Sequence, residues 1–334
     1  MANTGSTVKK PRKEVPSAIS AEALLGKSRL YASRALQAKA SKDSEVYQIW
    51  AALALELLGK AQLSATHPCL VVETDNPNSL LEACGVETDT KVKTISAHVV
   101  FARLKHTVAK FGTPHAKSCE LISSRRNAEL HSGQAAYAGV LDSNWEGEFW
   151  TTSELILASM GLVLEDWVGS ESKIPAALAK DFHTIKVEAA KQSIANARAT
   201  FEKPDEVSGS SQQKPKKRSP KEIKALREQS LGFRWWTYRD SFRYLLDSHW
   251  EVLCPACESK AFLGGDRVHE EVIAQDHESG YETIERYSTP VEFYCPTCDL
   301  HLEGSEAMKA AGFDEEYIEE DEREIEYEPD YGND

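Results

Sequence analysis

Two groups of residues in this chain combine types and spacings that can do chemistry. The first is the run Ser124-Arg125-Arg126-Asn127-Ala128-Glu129-Leu130-His131. It follows the amphipathic stretch Cys119-Glu120-Leu121-Ile122 and reads as the end of a helix that stops at Gly133. On a helix, Asn127 and His131 are four residues apart and share a face. Arg126 precedes the histidine by five residues, about 140° round the axis, and its long arm still reaches toward the same cleft. A permanently charged guanidinium, an amide that can orient a ring and an imidazole form a set suited to cleaving phosphodiesters. Glu56, on an earlier helix, is a candidate to tune Arg126 or His131. The plainer role for Glu56 is an (i, i+4) ion pair with Lys60, worth ~0.3–0.5 kcal/mol if exposed.

The second group is cysteine. Four of the seven cysteines form two CxxC pairs, Cys254-Pro-Ala-Cys257 and Cys295-Pro-Thr-Cys298, separated by 37 residues. Cys69, Cys84 and Cys119 are scattered. Two such pairs supply four thiolates for one tetrahedral Zn2+. Four protein ligands close the coordination shell, so the zinc is expected to be structural rather than hydrolytic. His269 and His277 are read as bystanders.

A third pattern is basic and aromatic. Lys216, Lys217 and Arg218 fall in a Ser/Gln/Pro/Lys-rich stretch, and Arg234, Trp235 and Trp236 follow. Cations mixed with indole rings suit stacking on single-stranded bases. A solubilising linker and a hydrophobic anchor explain the same residues without nucleic acid.

The elements that must position these groups follow from the hydrophobic periodicity. Residues 1–17 read as a disordered basic arm. Residues 18–202 read as a bundle of five or six helices, expected at about Ala21–Ala40, Ser44–Ser64, Thr94–Phe111, through Gly133, Thr152–Val168 and Pro175–Glu202, with a short one near Ser79–Cys84. Residues 203–229 read as a basic flexible linker. Residues 230–313 read as an aromatic/basic helix, about Ser241–Trp250, followed by a zinc ribbon with strands at Val268–Ala274, Glu282–Tyr287 and Val291–Tyr294. Residues 314–334 read as an acidic disordered tail. The fold class is therefore mainly α, a helical bundle with a small C-terminal β zinc-ribbon domain.

The net charge of −14 would argue against nucleic acid if evenly spread. The last 21 residues hold twelve acidic side chains against Arg323, which leaves about −3 on the rest. No apolar run reaches membrane-spanning length, and the N-terminal segment lacks an apolar signal region. The expectation is a cytoplasmic protein with no membrane partner.

The Arg-Asn-x-x-x-His run set in a helical bundle resembles the HEPN superfamily, compact helical domains of which many are metal-independent ribonucleases bearing an Arg-x4-6-His motif. Arg126 and His131 match with four residues between them, Asn127 holds the often polar position after the arginine, and Glu56-Leu57-Leu58-Gly59-Lys60-Ala61 looks like the second helix of such domains. The resemblance covers roughly residues 21–202. It implies a homodimer through the helical domain, with each protomer giving an Arg and a His to a composite cleft. It also implies RNA as substrate and roles in antiviral (anti-phage) defence, toxin–antitoxin systems or RNA processing, with a regulatory protein partner in some members. Other members have lost catalysis, so a non-catalytic nucleic-acid-binding or protein-adaptor module is the alternative.

Overall fold

Ser20 accepts a hydrogen bond from the Ala23 backbone N–H at 3.2 Å and starts α1 (Ala21–Ala40). In this computed structural model, residues 17–88, 91–203, 218–228, 242 and 246–325 are described. They divide into two compact units, one of the described residues up to 111 with 115–180, the other of residues 112–114 with the described residues from 181 onward. The described part is mainly helical, with a small antiparallel sheet toward the C-terminus.

The first unit is built on α1 and α2 (Ser44–Thr66). Asp43, one residue before the expected Ser44, caps α2 by accepting from the Val46 N–H at 3.1 Å. α2 is apolar nearly all round and buries Tyr47, Ala51, Leu55, Leu58 and Leu63, as a central bundle helix should. Gly59 permits the close approach of α4 (Ala97–Thr107), since a Cβ there would meet Val100 Cγ1 at 2.7 Å. α3 (Pro77–Ala83) is short and capped by Asn76. α4 begins after Thr94 rather than at it, because Thr94 forms a β-bridge with Val72.

α5 (Thr113–His131) carries the candidate motif. The helix expected at Thr152–Val168 is two, α6 (Glu146–Ser159) and α7 (Leu164–Val168). Gly161, at φ +70°, breaks them. Trp145, Phe149, Trp150 and Trp167 form an aromatic wall in this core. α8 (Lys173–Glu202) opens the last helical stretch, and its residues from Asp181 onward belong to the second unit, so the bundle ends before the expected residue 202.

The second unit contains the sheet. β1 (Ser248–Leu253), β2 (Lys260–Asp276) and β3 (Tyr281–Cys295) form an antiparallel run. β4 (Leu300–Glu303) pairs with residues 292–295 of β3. Residues 248–250, expected to close a helix, open β1 instead: Trp250 pairs with Leu263, and the ladder satisfies its backbone. The three short strands expected between the cysteine pairs are two long ones, β2 and β3, joined by a turn at Gly280 (φ +77°).

Two further expectations are corrected here. The linker contains α9 (Pro220–Arg227), opened by a capping box in which Ser219 and Glu222 hydrogen-bond reciprocally. Its Ile223 and Leu226 pack on the core around the cysteines. α10 (Ser305–Ala310) precedes the acidic tail, and the tail itself contributes β5 (Tyr317–Glu324), which pairs with residues 281–288 of β3. Counting charge alone hides the cause. Tyr317 stacks on Trp250 with centroids 4.6 Å apart, and Arg286 and Arg323 bridge Glu270, Glu282 and Asp321 across the strands. Main-chain pairing and these two cations offset the repulsion of the acidic side chains.

Candidate functional site

α5 buries a stripe at Ala116, Cys119, Ser123 and Arg126, in steps of three and four. The stripe ends in a cation. Arg126 is only 8% exposed, and its guanidinium meets Glu56 of α2. Nη1 donates to Glu56 Oε2 at 2.5 Å, and Nε and Nη2 donate to Asn127 Oδ1 at 3.1 and 2.8 Å. The same Glu56 accepts from Lys60 Nζ at 2.8 Å, and Lys60 also donates to Thr94 Oγ1 at 3.2 Å. Glu56 thus pairs with both Lys60 and Arg126. Burial pushes the Glu56 carboxyl up, but Lys60 and Arg126 outweigh it and hold it below the usual glutamate value. One carboxylate between two cations leaves this corner with an excess positive charge.

His131 lies elsewhere on the helix surface. It is exposed, and it makes no hydrogen bond with Arg126, Asn127 or Glu56. The five-residue offset accounts for this: Arg126 faces the core and the imidazole faces out. The structure therefore brings Arg126, Asn127 and Glu56 together, while His131 stands apart within one chain.

Sequence reasoning missed Arg125. It precedes His131 by six residues, so the Arg-x4-6-His spacing admits it equally, and spacing alone does not separate the two arginines. Arg125 is half-buried and lines a narrow crevice with Gln48, Ile122, Tyr137 and Trp145. Tyr137 and Trp145 carry no periodic signal that would have placed them beside α5.

The cysteines converge in the second unit. Cys254, Cys257 and Cys295 are buried and Cys298 half-buried, and the four Sγ atoms lie within 4.8 Å of one another. Cys254 and Cys298 are 3.6 Å apart at sulfur, as are Cys257 and Cys295. Four sulfurs each about 2.3 Å from a tetrahedral metal would be roughly 3.8 Å apart, so the donor set fits a metal ion. The two knuckles share one turn. Glu258 N–H donates to Cys254 O and Asp299 N–H to Cys295 O, both at 2.9 Å, and Glu258 and Asp299 both adopt left-handed backbone (φ 61° and 58°). Two arginines cap the first knuckle from outside. Arg198 of α8 donates to Pro255 O at 2.7 Å and Ala256 O at 3.3 Å, and Arg227 of α9 donates to Cys257 O at 3.0 Å. Cations placed there suit a site whose four thiolates outweigh a divalent ion by two charges.

Of the nucleic-acid candidates, Lys216, Lys217, Arg234, Trp235 and Trp236 lie outside the described residues. Arg218 is described, with its guanidinium 5.2 Å from the centre of the Phe201 ring. Among the described residues no helix is long and apolar enough to cross a membrane. No protein-family model, curated protein or solved structure matches the chain.

Proposed function

We propose that this protein is a metal-independent endoribonuclease of HEPN type, carrying a structural zinc ribbon. The observation that supports it is the Arg126–Glu56–Asn127 cluster, which fixes a buried guanidinium on the helix that also exposes His131. His131 acts as general base on the ribose 2′-hydroxyl or as general acid to the leaving 5′-oxygen. Arg126 supplies positive potential where charge grows on the phosphorus oxygens. Asn127 and Glu56 position Arg126. Because His131 is set apart from Arg126 within one chain, the working cleft is composite, with a second copy of the chain bringing its own helix across an isologous interface. The four cysteines hold Zn2+, which stabilises the second unit and takes no part in cleavage.

The test is the dependence on sugar. RNA should be cut in the presence of EDTA, DNA of the same sequence should not, and the product should end in a 2′,3′-cyclic phosphate. Cleavage that requires added metal, or products ending in a 3′-hydroxyl, would sink this mechanism.

A second reading rests on the same pairing. Arg126 is engaged with Glu56, and an arginine so neutralised suits a non-catalytic module that binds nucleic acid or a protein partner. If wild type and His131→Ala bind RNA equally and neither cuts it, that reading replaces the first.

A further inference from the structure

Cys69 and Cys84, scattered in the sequence, meet in the fold. Cys69 sits in the 3-10 turn Pro68–Val71 that follows α2, and Cys84 caps the C-terminus of α3. Their sulfurs are 3.5 Å apart. Cys84 is exposed and Cys69 half-buried. Contacts that do not involve sulfur hold both backbones in place. The Cys69 N–H donates to His67 Nδ1 at 3.2 Å, and the carbonyl of the next residue, Leu70, accepts from Arg103 Nη1 at 2.6 Å. The Cys84 N–H donates to Leu80 O at 3.0 Å. Beyond it Gly85 (φ +79°) turns the chain, and the Val86 N–H returns to Leu81 O at 2.8 Å. Val71 and Ala83, close by in the chain, are buried in the core of the first unit. The other cysteines are placed differently. Cys119 is buried on α5, and the remaining four form the candidate metal shell. Around Cys69 and Cys84 no third histidine, cysteine or carboxylate among the described residues completes a metal group.

We infer that Cys69 and Cys84 are a reversible dithiol–disulfide site, closed by exchange with a low-molecular-weight disulfide of the glutathione class. Sulfurs 3.5 Å apart are already in contact. Closing the bond asks the two side chains for roughly 1.5 Å of approach, not a rearrangement of the turn or of α3. The chemistry balances in two steps. The Cys84 thiolate, reached from solvent, attacks one sulfur of the small disulfide. A mixed disulfide forms on Cys84, the small disulfide breaks, and one reduced thiol leaves. The Cys69 sulfur then gives up its proton, attacks Cys84 Sγ and expels the second reduced thiol. The chain loses two electrons and two protons, and the small disulfide becomes two thiols. An excess of reduced thiol runs both steps backward. Exposure sets the order. Burial, together with Cys84 beside it, pushes the Cys69 thiol up, so Cys69 holds its proton while Cys84 meets the reagent. The closed bond ties the end of α3 to the turn after α2, across the segment that carries Val72 to its bridge with Thr94. A cross-link over such a loop restricts the unfolded chain and so stabilises the first unit. None of this depends on the ribonuclease reading.

The test equilibrates the full-length protein in glutathione buffers from fully reduced to strongly oxidising. Remaining thiols are blocked with an alkylating agent, and the chain is cut after glutamate. Glu73 and Glu82 lie between the two cysteines, so the fragments carrying Cys69 and Cys84 separate unless a disulfide joins them. The oxidised wild type should yield that joined pair, lighter by two hydrogens than its parts, and excess reduced glutathione should part it again. The first unit of the oxidised protein should melt about 5–10 °C higher than that of the reduced protein, as a closed loop of about 15 residues implies for a unit of this size. Cys69→Ser should stop at the first step, with glutathione held on Cys84, and Cys84→Ser should take up little glutathione at Cys69. The wild type alone is enough to refute the site. It is overturned if both thiols stay open to alkylation in the most oxidising buffer, or if Cys84 holds glutathione without closing onto Cys69. Pairing of either cysteine with one of the four in the second unit would overturn it as well.

Discussion

The two motif-bearing regions differ in how much of a site their spacing determines. In the cysteine region, each CxxC pair folds into the same turn, closed by a left-handed residue at Glu258 or Asp299, and four sulfurs converge within 4.8 Å. In the Arg/His region, the intervals between residues are just as regular, but a helix converts a five-residue offset into two different faces. Arg126 goes to the core against Glu56, and His131 goes to the surface. Each local turn supplies two sulfurs, and the pairing of β2 with β3 brings the two turns together into one donor set. One helix cannot assemble an acid–base site, and the remaining partners must come from other elements or another chain.

This contrast can be broken or sharpened by experiment, beginning with the largest expected effect on the fold. Cys257→Ser should remove the metal and, with it, the folding of the second unit, since metal-coupled folding at such sites amounts to about 10 kcal/mol or more. Elemental mass spectrometry should find one zinc per chain in the wild type and little in the variant, while the first unit keeps its helical melting transition. If the variant still binds one zinc with an unchanged melting profile, the complete-shell account fails.

Next is Glu56→Gln, which leaves Arg126 and Lys60 buried without a carboxylate. Breaking a buried pair from one side should cost about 3 kcal/mol in denaturant unfolding. The pH dependence has a definite sign. The Glu56 carboxyl is held below its ordinary value of 4.5 in the fold, so its contribution is present above that value and lost as pH falls through the lower folded value. Wild type and variant should therefore converge in stability in acid. A gap that persists undiminished there would mean that the carboxylate charge is not what matters.

Gly59→Ala should follow, at about 1–3 kcal/mol, because the added Cβ would come to 2.7 Å from Val100 Cγ1. A neutral result would show that α4 yields readily. The smallest effect on the fold belongs to His131→Ala. An exposed side chain without partners should change stability by no more than about 0.5 kcal/mol, yet RNA cleavage should fall about 10²- to 10⁴-fold. Loss of stability alongside loss of activity would mean that His131 acts through the fold rather than through the chemistry.

The sequence was most legible where periodicity was long or ligand spacing was fixed. α1, the central α2 and the two cysteine pairs are where apolar spacing and CxxC spacing place them. It was least legible where tertiary contacts override local character. Gly161 splits an apolar run that periodicity alone reads as one helix. Ser219 and Glu222 build a capped helix inside a stretch whose composition reads as linker. Arg125 and Arg126 are chemically identical and adjacent. Only the position of Glu56 on α2 and of Tyr137 and Trp145 beyond α5 distinguishes the paired guanidinium from the unpaired one.

The pairing of β5 with β3 has a consequence for how copies of the chain meet one another. A sheet border presents unsatisfied N–H and C=O groups to any extended segment that drifts past, and such borders seed polymerisation. Among the described residues no strand covers the outer side of β5. Its side chains are Tyr317, Ile318, Glu319, Glu320, Asp321, Glu322, Arg323 and Glu324, so the exposed border is a row of carboxylates. A second copy trying to add itself there would bring an identical acidic row alongside, and the two would repel. The segment that composition marks as too charged to fold thus closes the sheet against self-templating.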